Sequence, residues 1–495
     1  MYLLGYDAGT SSIKATLMDA RTQAPVASAT CPKKEMPILA PQPGWAEQHP
    51  EDWWENLVQA TAEILNTSGI DPAEIKAIGI TYQMHGLVCV DKARRVLRPS
   101  IIWCDSRAVP VGAAATEKIG PQRCLETLLN HPGNFTAAKL RWVRENEPEV
   151  YAGIDKIMLP GDYLAMRMTD RVVTTVSGLS EGIFWDFREN ALSRLVLEAM
   201  DIDAALIPDT VDTFGVQGEL AAAAAKALGL KAGTPITYRA GDQPNNAFSL
   251  NVLEPGEVAA TAGTSGVVYG IGHKPAYDTH SRVNTFAHVN HTATSPRLGV
   301  LLCLNGTGIL NSWLKHNVAA GGDDYPEMNA AAGAVPVGAE GLRILPFGNG
   351  AERMLANRNI GASLHGLNFN VHTRAHVLRA AQEGIVFALN YGLDIMRQMG
   401  VRVRTVRAGK ANMFLSPLFA SAFATVTGST VELYNTDGSQ GAARGAGLGA
   451  GIYASPTEAF TGLKKLDTVE PDAATTETYA DAYDVWKSTL EDVSG

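Results

Sequence analysis

Apolar residues flank a short polar turn at two places in the chain. Near the N-terminus, residues 2–6 and 13–18 surround the turn Asp7-Ala8-Gly9-Thr10-Ser11-Ser12. In the second half, residues 258–262 and 267–269 surround the turn Gly263-Thr264-Ser265-Gly266. Two strands joined by a turn rich in Gly and Ser form a β-hairpin. The pattern therefore predicts two similar hairpins, and Gly263 follows Gly9 by 254 positions.

The spacing of these hairpins suggests a duplicated domain, because 254 positions is about half of the 495-residue chain. Backbone N–H groups and hydroxyls in such turns can bind phosphate, and the Asp7 carboxylate can bind hydrated Mg²⁺. One phosphate-binding hairpin in each half would hold a nucleotide in a cleft between the halves. The alternative is a coincidence between two common turn sequences.

A strand-to-helix junction is predicted near the middle of the chain. Apolar and polar residues alternate over residues 236–240, which predicts a short strand, and Gly241 marks a turn. A helix is predicted to continue through residues 246–250. Asp242 lies at this junction, where the N–H groups of a new helix favour an anion. It is either an ordinary helix N-cap or a residue that faces a ligand.

Two buried strands are predicted to end in residues that can bind a sugar. Residues 77–82 are followed by Gln83-Met84-His85-Gly86, and Ile101-Ile102 is followed by Trp103-Cys104-Asp105-Ser106-Arg107. In an open α/β sheet, residues at the carboxyl end of a strand face the binding crevice. Amide, imidazole and carboxylate groups can bond to hydroxyls, and an indole can stack on a sugar ring. The alternatives are a structural histidine, and a core tryptophan beside a surface pair of Asp105 and Arg107.

Composition disfavours several classes of protein. Hydrophobic residues make up 46% of the 495 residues, which is enough for the cores of two large or three smaller domains. A net charge of -10 argues against a nucleic-acid or anionic membrane surface, since such surfaces need clustered Lys and Arg. We therefore expect no nucleic acid and no membrane as partner, and a small diffusible substrate instead.

The cysteines and the N-terminal residues favour a cytoplasmic protein. The five cysteines form no Cys-x-x-Cys pair, which disfavours a zinc ribbon or a disulfide scaffold. Residues 1–7 lack the basic start of a signal peptide, and no apolar run is long enough to span a bilayer. A reducing cytoplasm is the expected location.

The ordered set of motifs resembles a known family. The set consists of Asp7-Ala8-Gly9-Thr10-Ser11-Ser12, Gln83-Met84-His85-Gly86, Trp103-Cys104-Asp105-Ser106-Arg107, Phe135-Thr136-Ala137-Ala138-Lys139-Leu140-Arg141-Trp142-Val143, Gly241-Asp242 and Gly263-Thr264-Ser265-Gly266. These motifs occur in the same order in the FGGY carbohydrate kinases, and the resemblance covers nearly the whole chain. Within that family, the segment that begins at Gln83 is most similar to that of the members that phosphorylate xylulose.

The resemblance implies an α/β fold with two actin-like (ribonuclease-H-like) ATPase domains and a cleft between them. Residues 1–250 would form the N-terminal sugar-binding domain, and residues 251–495 would form the C-terminal nucleotide-binding domain. The turn Asn251-Val252-Leu253-Glu254-Pro255-Gly256 is the best candidate for the boundary. The resemblance also implies ATP and Mg²⁺ as cofactors, and a homodimer as the default assembly.

The same resemblance assigns roles to individual residues. Asp242 would be the catalytic base that takes the proton from the attacking sugar hydroxyl, and Asp7 and Asp242 would bind Mg²⁺. The predicted sugar-binding residues are Gln83, Met84, His85, Trp103, Asp105, Asp242 and Gln243. The predicted ATP-binding residues are Thr10, Ser11, Ser12 and Lys14 in the first half, and Gly263, Thr264, Gly409 and Asn412 in the second half.

Two segments near the C-terminus bear on the nucleotide. At Ala408-Gly409-Lys410, only Gly409 retains the triple glycine of the adenine loop found in many members, although Lys410 could reach a phosphate. Residues 437–446 match the small-residue helix of the family. Glycines at 441, 445 and 449 fall on one helical face, which permits close packing beside a nucleotide or beside another helix.

The main prediction of function is ATP-dependent phosphorylation of D-xylulose to D-xylulose 5-phosphate, a step of pentose catabolism. One alternative is an FGGY kinase that acts on gluconate, ribulose or a polyol. A second alternative is an actin- or chaperone-like ATPase, which uses a duplicated nucleotide cleft to drive assembly or partner binding. Cys104 stands where many xylulose-phosphorylating members have Asn, so the sequence leaves the sugar open.

Overall fold

The computed structural model describes residues 1–319 and 322–494, which form two compact units. Unit 1 consists of Met1–Asn251, Phe286–Leu298 and Thr436–Leu463. Unit 2 consists of Val252–Thr285, Gly299–Asn435 and the segment from Lys464 onwards. Unit 1 is therefore discontinuous in sequence, because two later segments belong to it. The functional division into residues 1–250 and 251–495 stays a prediction.

Strands and helices alternate along most of the chain. The strands are β1 (Tyr2–Ala8), β2 (Ile13–Asp19), β3 (Pro25–Cys31), β4 (Glu47–Gln48), β5 (Ile75–Tyr82), β6 (Val88–Val90), β7 (Ser100–Ile101), β8 (Lys156–Met158), β9 (Val173–Thr175), β10 (Trp185–Asp186), β11 (Ala191–Leu192), β12 (Asp209–Val211), β13 (Phe214–Glu219), β14 (Pro235–Gly241), β15 (Val258–Ala262), β16 (Gly266–Gly272), β17 (Asn284–Ala287), β18 (Leu298–Leu304), β19 (Arg343–Phe347), β20 (Gly361–His365), β21 (Thr405–Gly409), β22 (Thr430–Tyr434) and β23 (Lys465–Val469). The α-helices are α1 (Pro50–Ser68), α2 (Val109–Ile119), α3 (Pro121–Leu128), α4 (Thr136–Asn146), α5 (Pro148–Gly153), α6 (Pro160–Thr169), α7 (Val176–Glu181), α8 (Arg194–Met200), α9 (Ala222–Leu228), α10 (Asp242–Ser249), α11 (Gly308–Asn317), α12 (Tyr325–Gly333), α13 (Arg374–Gln398), α14 (Pro417–Thr427), α15 (Gly438–Gly449), α16 (Pro456–Ala459) and α17 (Thr476–Ser494). Short 3₁₀ helices span Pro72–Glu74, Ala204–Leu206, Ala339–Gly341, Arg353–Leu355 and Asn412–Leu415.

The main sheet of unit 1 has the strand order β13-β14-β5-β1-β2-β3. β1 pairs antiparallel with β2, and β2 pairs antiparallel with β3. β1 and β5 are parallel, as are β5 and β14, whereas β13 is antiparallel to β14. Parallel strands are covered on both faces, and accordingly every residue of β5 except Lys76 is buried.

The main sheet of unit 2 has the strand order β17-β18-β16-β15-β21-β22-β23. β15 pairs antiparallel with β16, parallel strands β21 and β22 follow on the other side of β15, and β23 is antiparallel to β22. Unit 1 has the same succession of a hairpin, two parallel strands and one antiparallel strand. The two predicted hairpins and the duplication of an α/β domain are therefore confirmed.

Each unit has its own apolar core. In unit 1, one core lies between the main sheet and α1, α6 and α9, with Trp53, Tyr82 and Leu164 among its members. In unit 2, the core includes residues of α13, α14 and α17, with Phe387 and Trp486 fully or nearly fully buried. Removal of apolar side chains from water is the main favourable contribution to folding. The core of each unit therefore stabilises the sheet of that unit.

Helix α15 lies directly on the sheet of unit 1, because glycines remove the side chains that would keep it away. A Cβ on Gly5 of β1 would collide with the backbone of Ser439 and Ala443. A Cβ on Gly79 of β5 would likewise collide with the carbonyl oxygen of Ala442. The small-residue helix thus packs against strands, and at Gly441 it also packs against another helix, because a Cβ there would lie 2.6 Å from Ser249 Cβ of α10. The predicted close packing beside another helix is therefore confirmed at Gly441.

We predict that Gly79→Ala destabilises unit 1 by more than about 2 kcal/mol, because a methyl group cannot fit beneath the α15 backbone. Thermal unfolding followed by circular dichroism measures the effect as a lower midpoint. Gly153→Ala is the matched control, since its Cβ would lie 3.6 Å from the nearest atom, Leu97 Cδ1. Equal midpoints for the two variants would contradict the proposed close packing.

Candidate active site

Three carboxylates lie at the carboxyl edge of the unit 1 sheet. Asp7 is near the end of β1, Asp242 directly follows β14, and Asp437 precedes α15. The ends of the parallel strands coincide, since Tyr82 of β5 pairs with both Ala8 and Gly241. The Asp7 carboxylate packs against Gly438, where a Cβ would collide with it. Glycine at the first position of α15 therefore brings this helix and its cap, Asp437, against Asp7.

The electrostatics of this edge are dominated by negative charge. Burial raises the pKa of Asp7 to about 7, and the charges of Asp242 and Asp437 add to the shift while Lys14 opposes it. Burial also raises the pKa of Asp242 to about 6, although hydrogen bonds from the backbone and side chain of Gln243 oppose the shift. Lys14 Nζ lies 2.8 Å from Asp437 Oδ2. Lys14 thus faces two of the three carboxylates, those of Asp7 and Asp437, and the excess of negative charge suits a bound cation.

The carboxylates of this edge suit Mg²⁺ better than a metal ion whose ligands all come from protein side chains. Within residues 1–319 and 322–494, no group of three or more His, Cys, Asp or Glu side chains is arranged to hold an ion. Mg²⁺ commonly uses only one or two carboxylates and completes its octahedral shell with phosphate and water. Asp7 and Asp242 therefore provide a donor set of the expected kind.

Asp242 occupies a strand-to-helix junction, as predicted, but it is not the N-cap. The strand β14 ends at Gly241, and Gly241 is the N-cap with an extended conformation, φ -58° and ψ 158°. Asp242 is the first residue of α10, and its carboxylate accepts hydrogen bonds from the backbone and side chain of Gln243. The N-cap interpretation of Asp242 is thus wrong by one residue, because the glycine itself occupies the cap position.

The turn of the first hairpin contains the predicted phosphate-binding residues. The Gly9 N–H donates to the Ser12 carbonyl at 3.0 Å, which closes the turn. Ser11 is exposed at its tip, and its carbonyl accepts a bond from the Met36 N–H at 2.8 Å. Lys14 stands opposite Asp7 in the β1–β2 register. The turn therefore lies beside the carboxylate edge.

Thr10 connects the hairpin turn to two predicted sugar-binding residues. Its hydroxyl donates to Gln83 Oε1 at 2.9 Å and accepts from Trp103 Nε1 at 2.9 Å. Gln83 Nε2 donates to Gln48 Oε1 at 3.0 Å, and Gln48 Nε2 donates to the Thr10 carbonyl at 2.7 Å. Gln83 is only 3% exposed, so it orients Thr10 and does not present its amide to a ligand.

Trp103 and Asp105 differ in what they offer a ligand. Trp103 is 47% exposed, so its side chain is accessible to a ligand. Asp105 is fully buried, and its carboxylate pairs with Arg107 at 2.7 Å and accepts from the Ala46 N–H at 2.6 Å. A direct sugar contact by Asp105 is therefore not supported. The alternative of a surface pair is also wrong, because the Arg107 side chain is buried and stacks on Trp45.

Met84 and His85 follow β5 and approach the Asp242 junction. Met84 is buried, and its Cγ would lie 2.6 Å from a Cβ on Gly241, so only glycine fits at that position. His85 adopts a left-handed backbone conformation with φ 63°. Its Nδ1 lies 3.0 Å from the Glu181 carbonyl oxygen, and its ring packs edge-on against Phe135. The histidine is thus held from several sides.

A cavity of about 460 Å³ in unit 2 contains three of the four residues predicted to bind ATP in this half. Its lining residues are Ala262, Gly263, Thr264, Gly308, Ile309, Asn311, Ser312, Tyr325, Asn329, Asn412, Met413, Leu415 and Ser416. Gly409 is not among them, because β21 ends there and the wall is formed three residues later by Asn412. Lys410 also points elsewhere, since its Nζ lies 3.2 Å from Asp467.

The cavity wall joins the second hairpin to the start of α11. The Gly308 N–H donates to the Gly263 carbonyl at 2.8 Å, and the Ile309 N–H donates to the Thr264 carbonyl at 3.1 Å. Just before α11, the Asn305 N–H donates to Glu352 Oε1 at 2.9 Å. Burial raises the pKa of Glu352 to about 7. A buried carboxyl group thus supports the loop that leads into the cavity.

Four residues that bond to the predicted site residues received no role from the sequence. Gln48 bonds to Gln83, Lys139 and Glu181 bond to His85, and Asp437 bonds to Lys14. Lys139 lies within the motif of residues 135–143, and Asp437 precedes the small-residue helix. A local sequence motif therefore marks both residues. Gln48 and Glu181 had none, because each lies outside the motifs and acts on residues distant in sequence.

Two family profiles match the chain. The N-terminal domain of the "FGGY family of carbohydrate kinases" matches residues 2–249, and its C-terminal domain matches residues 258–454. The chain belongs to the FGGY family of carbohydrate kinases. As a member, it uses ATP to phosphorylate a carbohydrate, and the alternative of an actin- or chaperone-like ATPase is not supported.

Relatives of this carbohydrate kinase match it over nearly their whole length. The xylulose kinase of Bacillus subtilis is 30% identical over 98% of this chain and 96% of its own. The L-xylulose/3-keto-L-gulonate kinase of Escherichia coli is 29% identical over 100% of this chain and 97% of its own. The structure of the xylulose kinase from Rhodospirillum rubrum matches with a TM-score of 0.88 at 26% identity, over 100% of this chain and 99% of that one.

The structural match confirms the predicted α/β fold with two actin-like domains. Among the helices of the described residues, none combines the length and apolar character that crossing a membrane requires.

We predict that Glu352→Gln makes the stability of this kinase less dependent on pH. In the folded protein the Glu352 pKa is about 7, above its ordinary value of 4.5, so folding stability should fall as pH rises from 5 to 8. The amide of the variant cannot ionise. The pH dependence of its free energy of unfolding should therefore be smaller by up to about 1.4 kcal/mol per pH unit near pH 6.

Denaturant unfolding of both proteins at several pH values measures this slope. Glu491→Gln is the matched control, because Glu491 is exposed near the end of α17. A wild-type slope retained in Glu352→Gln would show that the Glu352 carboxyl titrates equally in folded and unfolded protein.

Proposed function

We propose that this carbohydrate kinase transfers the γ-phosphoryl group of ATP to the 5-hydroxyl of D-xylulose. One observation carries the proposal: Asp242, with its raised pKa, shares a sheet edge with the first hairpin and with the segment of Met84 and His85. The choice of sugar is supported by the resemblance to the xylulose kinases of Bacillus subtilis and Rhodospirillum rubrum.

Asp242 acts as the base in this proposal. With a pKa of about 6, its carboxyl group is mainly ionised at pH 7.5 and can accept the proton of the attacking hydroxyl. A strong base is not needed, because phosphoryl transfer through a loose transition state depends mainly on alignment and charge neutralisation. The side chain of Gln243 bonds to the carboxylate and holds it at the start of α10.

The sugar contacts come from side chains near the ends of β5 and β7. Trp103 stacks its exposed indole on the apolar face of the sugar, and Thr10 fixes the indole through the 2.9 Å hydrogen bond. Met84 and His85 form the neighbouring wall beside Gly241. Gln83 affects the sugar indirectly, because it orients Thr10. Asp105 also acts indirectly, because it holds the loop of Ala46.

The polar groups of the carboxylate edge and of the first hairpin turn are assigned to Mg²⁺ and the phosphates. Asp7 and Asp242 would hold Mg²⁺, which would neutralise charge on the phosphates. The turn offers the hydroxyls of Ser11 and Ser12 to phosphate, because the Thr10 hydroxyl proton is already donated to Gln83. Lys14 adds a positive charge beside the turn.

In unit 2, the nucleotide occupies the cavity of about 460 Å³, with Gly263, Thr264 and Asn412 in its wall. Its volume suits a small-molecule ligand.

We predict that Asp242→Asn lowers kcat by about 10²- to 10⁴-fold while sugar binding is retained, because the amide cannot accept the proton. A coupled assay of ADP release measures kcat, and calorimetry measures binding of D-xylulose. Asp209→Asn is the matched control, since Asp209 is exposed on β12 of the same unit. Near-normal turnover by Asp242→Asn would exclude the proposed base.

We predict that Thr264→Val raises the KM for ATP at least about tenfold and leaves the KM for the sugar unchanged. Thr264 lines the cavity, and loss of one hydrogen bond from its hydroxyl to a charged phosphate weakens binding by about 1.5–3 kcal/mol. Thr468→Val on the exposed strand β23 is the matched control. An unchanged KM for ATP would argue that the nucleotide does not contact Thr264.

The second candidate substrate is L-xylulose or 3-keto-L-gulonate. It is favoured by the Escherichia coli kinase named for these sugars, whose 29% identity is close to the 30% of the Bacillus subtilis xylulose kinase. Comparison of kcat/KM for D-xylulose, L-xylulose, 3-keto-L-gulonate, ribulose and gluconate distinguishes them. A higher value for any sugar other than D-xylulose would reassign the substrate.

The homodimer and the cytoplasmic location stay predictions. Light scattering of the purified protein tests the first, and fractionation of cells that express the chain tests the second.

A further inference from the structure

We propose that Glu181 and Lys139 form a clamp that fixes His85 and thereby determines how tightly and how selectively the sugar binds. Both are positioning residues, because they act on the sugar through His85. The inference rests on the proposed sugar contact of His85. It adds two buried ionisable residues to the sugar site, one from α7 and one from α4.

His85 needs such support because its backbone is in the left-handed region, with φ 63°. A residue with a side chain rarely adopts this conformation unless its surroundings impose it. The conformation lies directly after Met84, which packs against Gly241 beside Asp242. A change at His85 would therefore alter the surface next to the proposed base.

Glu181 holds the N-terminal side of His85. It is the last residue of α7 and only 2% exposed. Its Oε2 accepts a hydrogen bond from the His85 N–H at 3.2 Å, and its carbonyl oxygen lies 3.0 Å from His85 Nδ1. Its Oε1 accepts from the Tyr82 hydroxyl at 2.7 Å, which ties the carboxylate to the end of β5. One residue thus fixes the backbone and the ring of His85 together.

Lys139 holds the C-terminal side of His85. Its ammonium group is fully buried and donates to the His85 carbonyl at 2.8 Å and to the Ile102 carbonyl at 3.0 Å. Ile102 directly precedes Trp103, so one side chain connects both proposed sugar-binding segments. Burial lowers the pKa of Lys139 to about 7, and charged Asp105 opposes the shift. Burial of a lysine ammonium group costs free energy of folding. This cost favours a functional role for Lys139 in addition to packing in the core.

The ring of His85 is fixed as well as its backbone. It packs against Phe135 with ring centres 4.7 Å apart and against Phe286 with ring centres 5.4 Å apart. Because the Glu181 carbonyl oxygen can only accept a hydrogen bond, Nδ1 must carry the proton in the neutral ring. The clamp therefore selects one tautomer, in which Nε2 is the acceptor nitrogen.

Glu181→Gln and Lys139→Met test the clamp in steady-state assays with D-xylulose and L-xylulose. Each variant should raise the KM for D-xylulose at least tenfold and reduce the preference between the two sugars, with the KM for ATP within twofold of wild type. The double variant should show less than the product of the two single effects, because both act on the same residue. A residue that only stabilised the core would leave the sugar preference unchanged.

The matched controls are Glu145→Gln and Lys118→Met, which lie on the exposed surface of unit 1. Lys118 also donates to a backbone carbonyl, that of Ala199 at 2.8 Å, so its loss removes a similar bond away from the site. Wild-type sugar preference in both clamp variants, with folding verified by circular dichroism, would overturn the proposal.

A measurement on the wild-type protein tests the clamp even if a variant does not fold. Nitrogen-15 NMR of histidine-labelled protein at pH 7.5, with His85→Gln to assign the signal, should show the proton of His85 on Nδ1. A proton on Nε2 would overturn the clamp.

His85→Ala separates this inference from the proposed function. If its KM for D-xylulose is unchanged, the sugar contact and the clamp are both wrong. If its KM rises while Glu181→Gln and Lys139→Met retain wild-type values, only the clamp is wrong.

Discussion

The contact between α15 and the sheet of unit 1 is the constraint on which the carboxylate edge depends. Gly5 and Gly79 lie beneath the helix backbone, at positions where no side chain fits. The Thr16 and Ser439 hydroxyls lie 2.7 Å apart across the same interface. Because the helix can approach this closely, its cap Asp437 reaches Lys14, and its first residue Gly438 meets the Asp7 carboxylate. A helix near the C-terminus thus completes an edge formed by the first strand.

The same contact creates an electrostatic problem for folding. Asp7 and Asp242 both have raised pKa values because they are buried, and Asp7 also faces the charges of Asp242 and Asp437. A protein selected only for stability would replace one of these carboxylates, since buried like charges oppose folding. Functional sites commonly retain such features because activity needs them. The unfavourable charge is therefore consistent with a site that binds a cation during phosphoryl transfer.

Local patterns predicted the parts of the site that are continuous in sequence. Both hairpins and the junction at Asp242 follow from alternating apolar residues and from turn glycines, and the structure contains them. Contacts between distant segments could not be predicted, because nothing local marks them. Gln48 is 35 positions from Gln83, Glu181 is 96 from His85, and Asp437 is 423 from Lys14.

The direction of a side chain is a second feature that local sequence does not determine. Asp105 and Gln83 follow strands as expected, but their polar groups are used by Arg107 and by Thr10. A residue type at the end of a strand indicates where a side chain lies and does not indicate what it contacts.

The altered adenine loop does not remove the cavity of unit 2, because the walls of that cavity come from other segments. Residues 262–264, 308–312 and 412–416 line it, whereas Ala408 is buried within β21 and Lys410 pairs with Asp467. The salt bridge of Lys410 is on the surface, where such pairs contribute little to stability. Side chains in place of the triple glycine are therefore accommodated away from the cavity wall. With the nucleotide in this cavity, as proposed above, its specificity would depend on wall residues such as Tyr325 and Asn412 more than on residues 408–410.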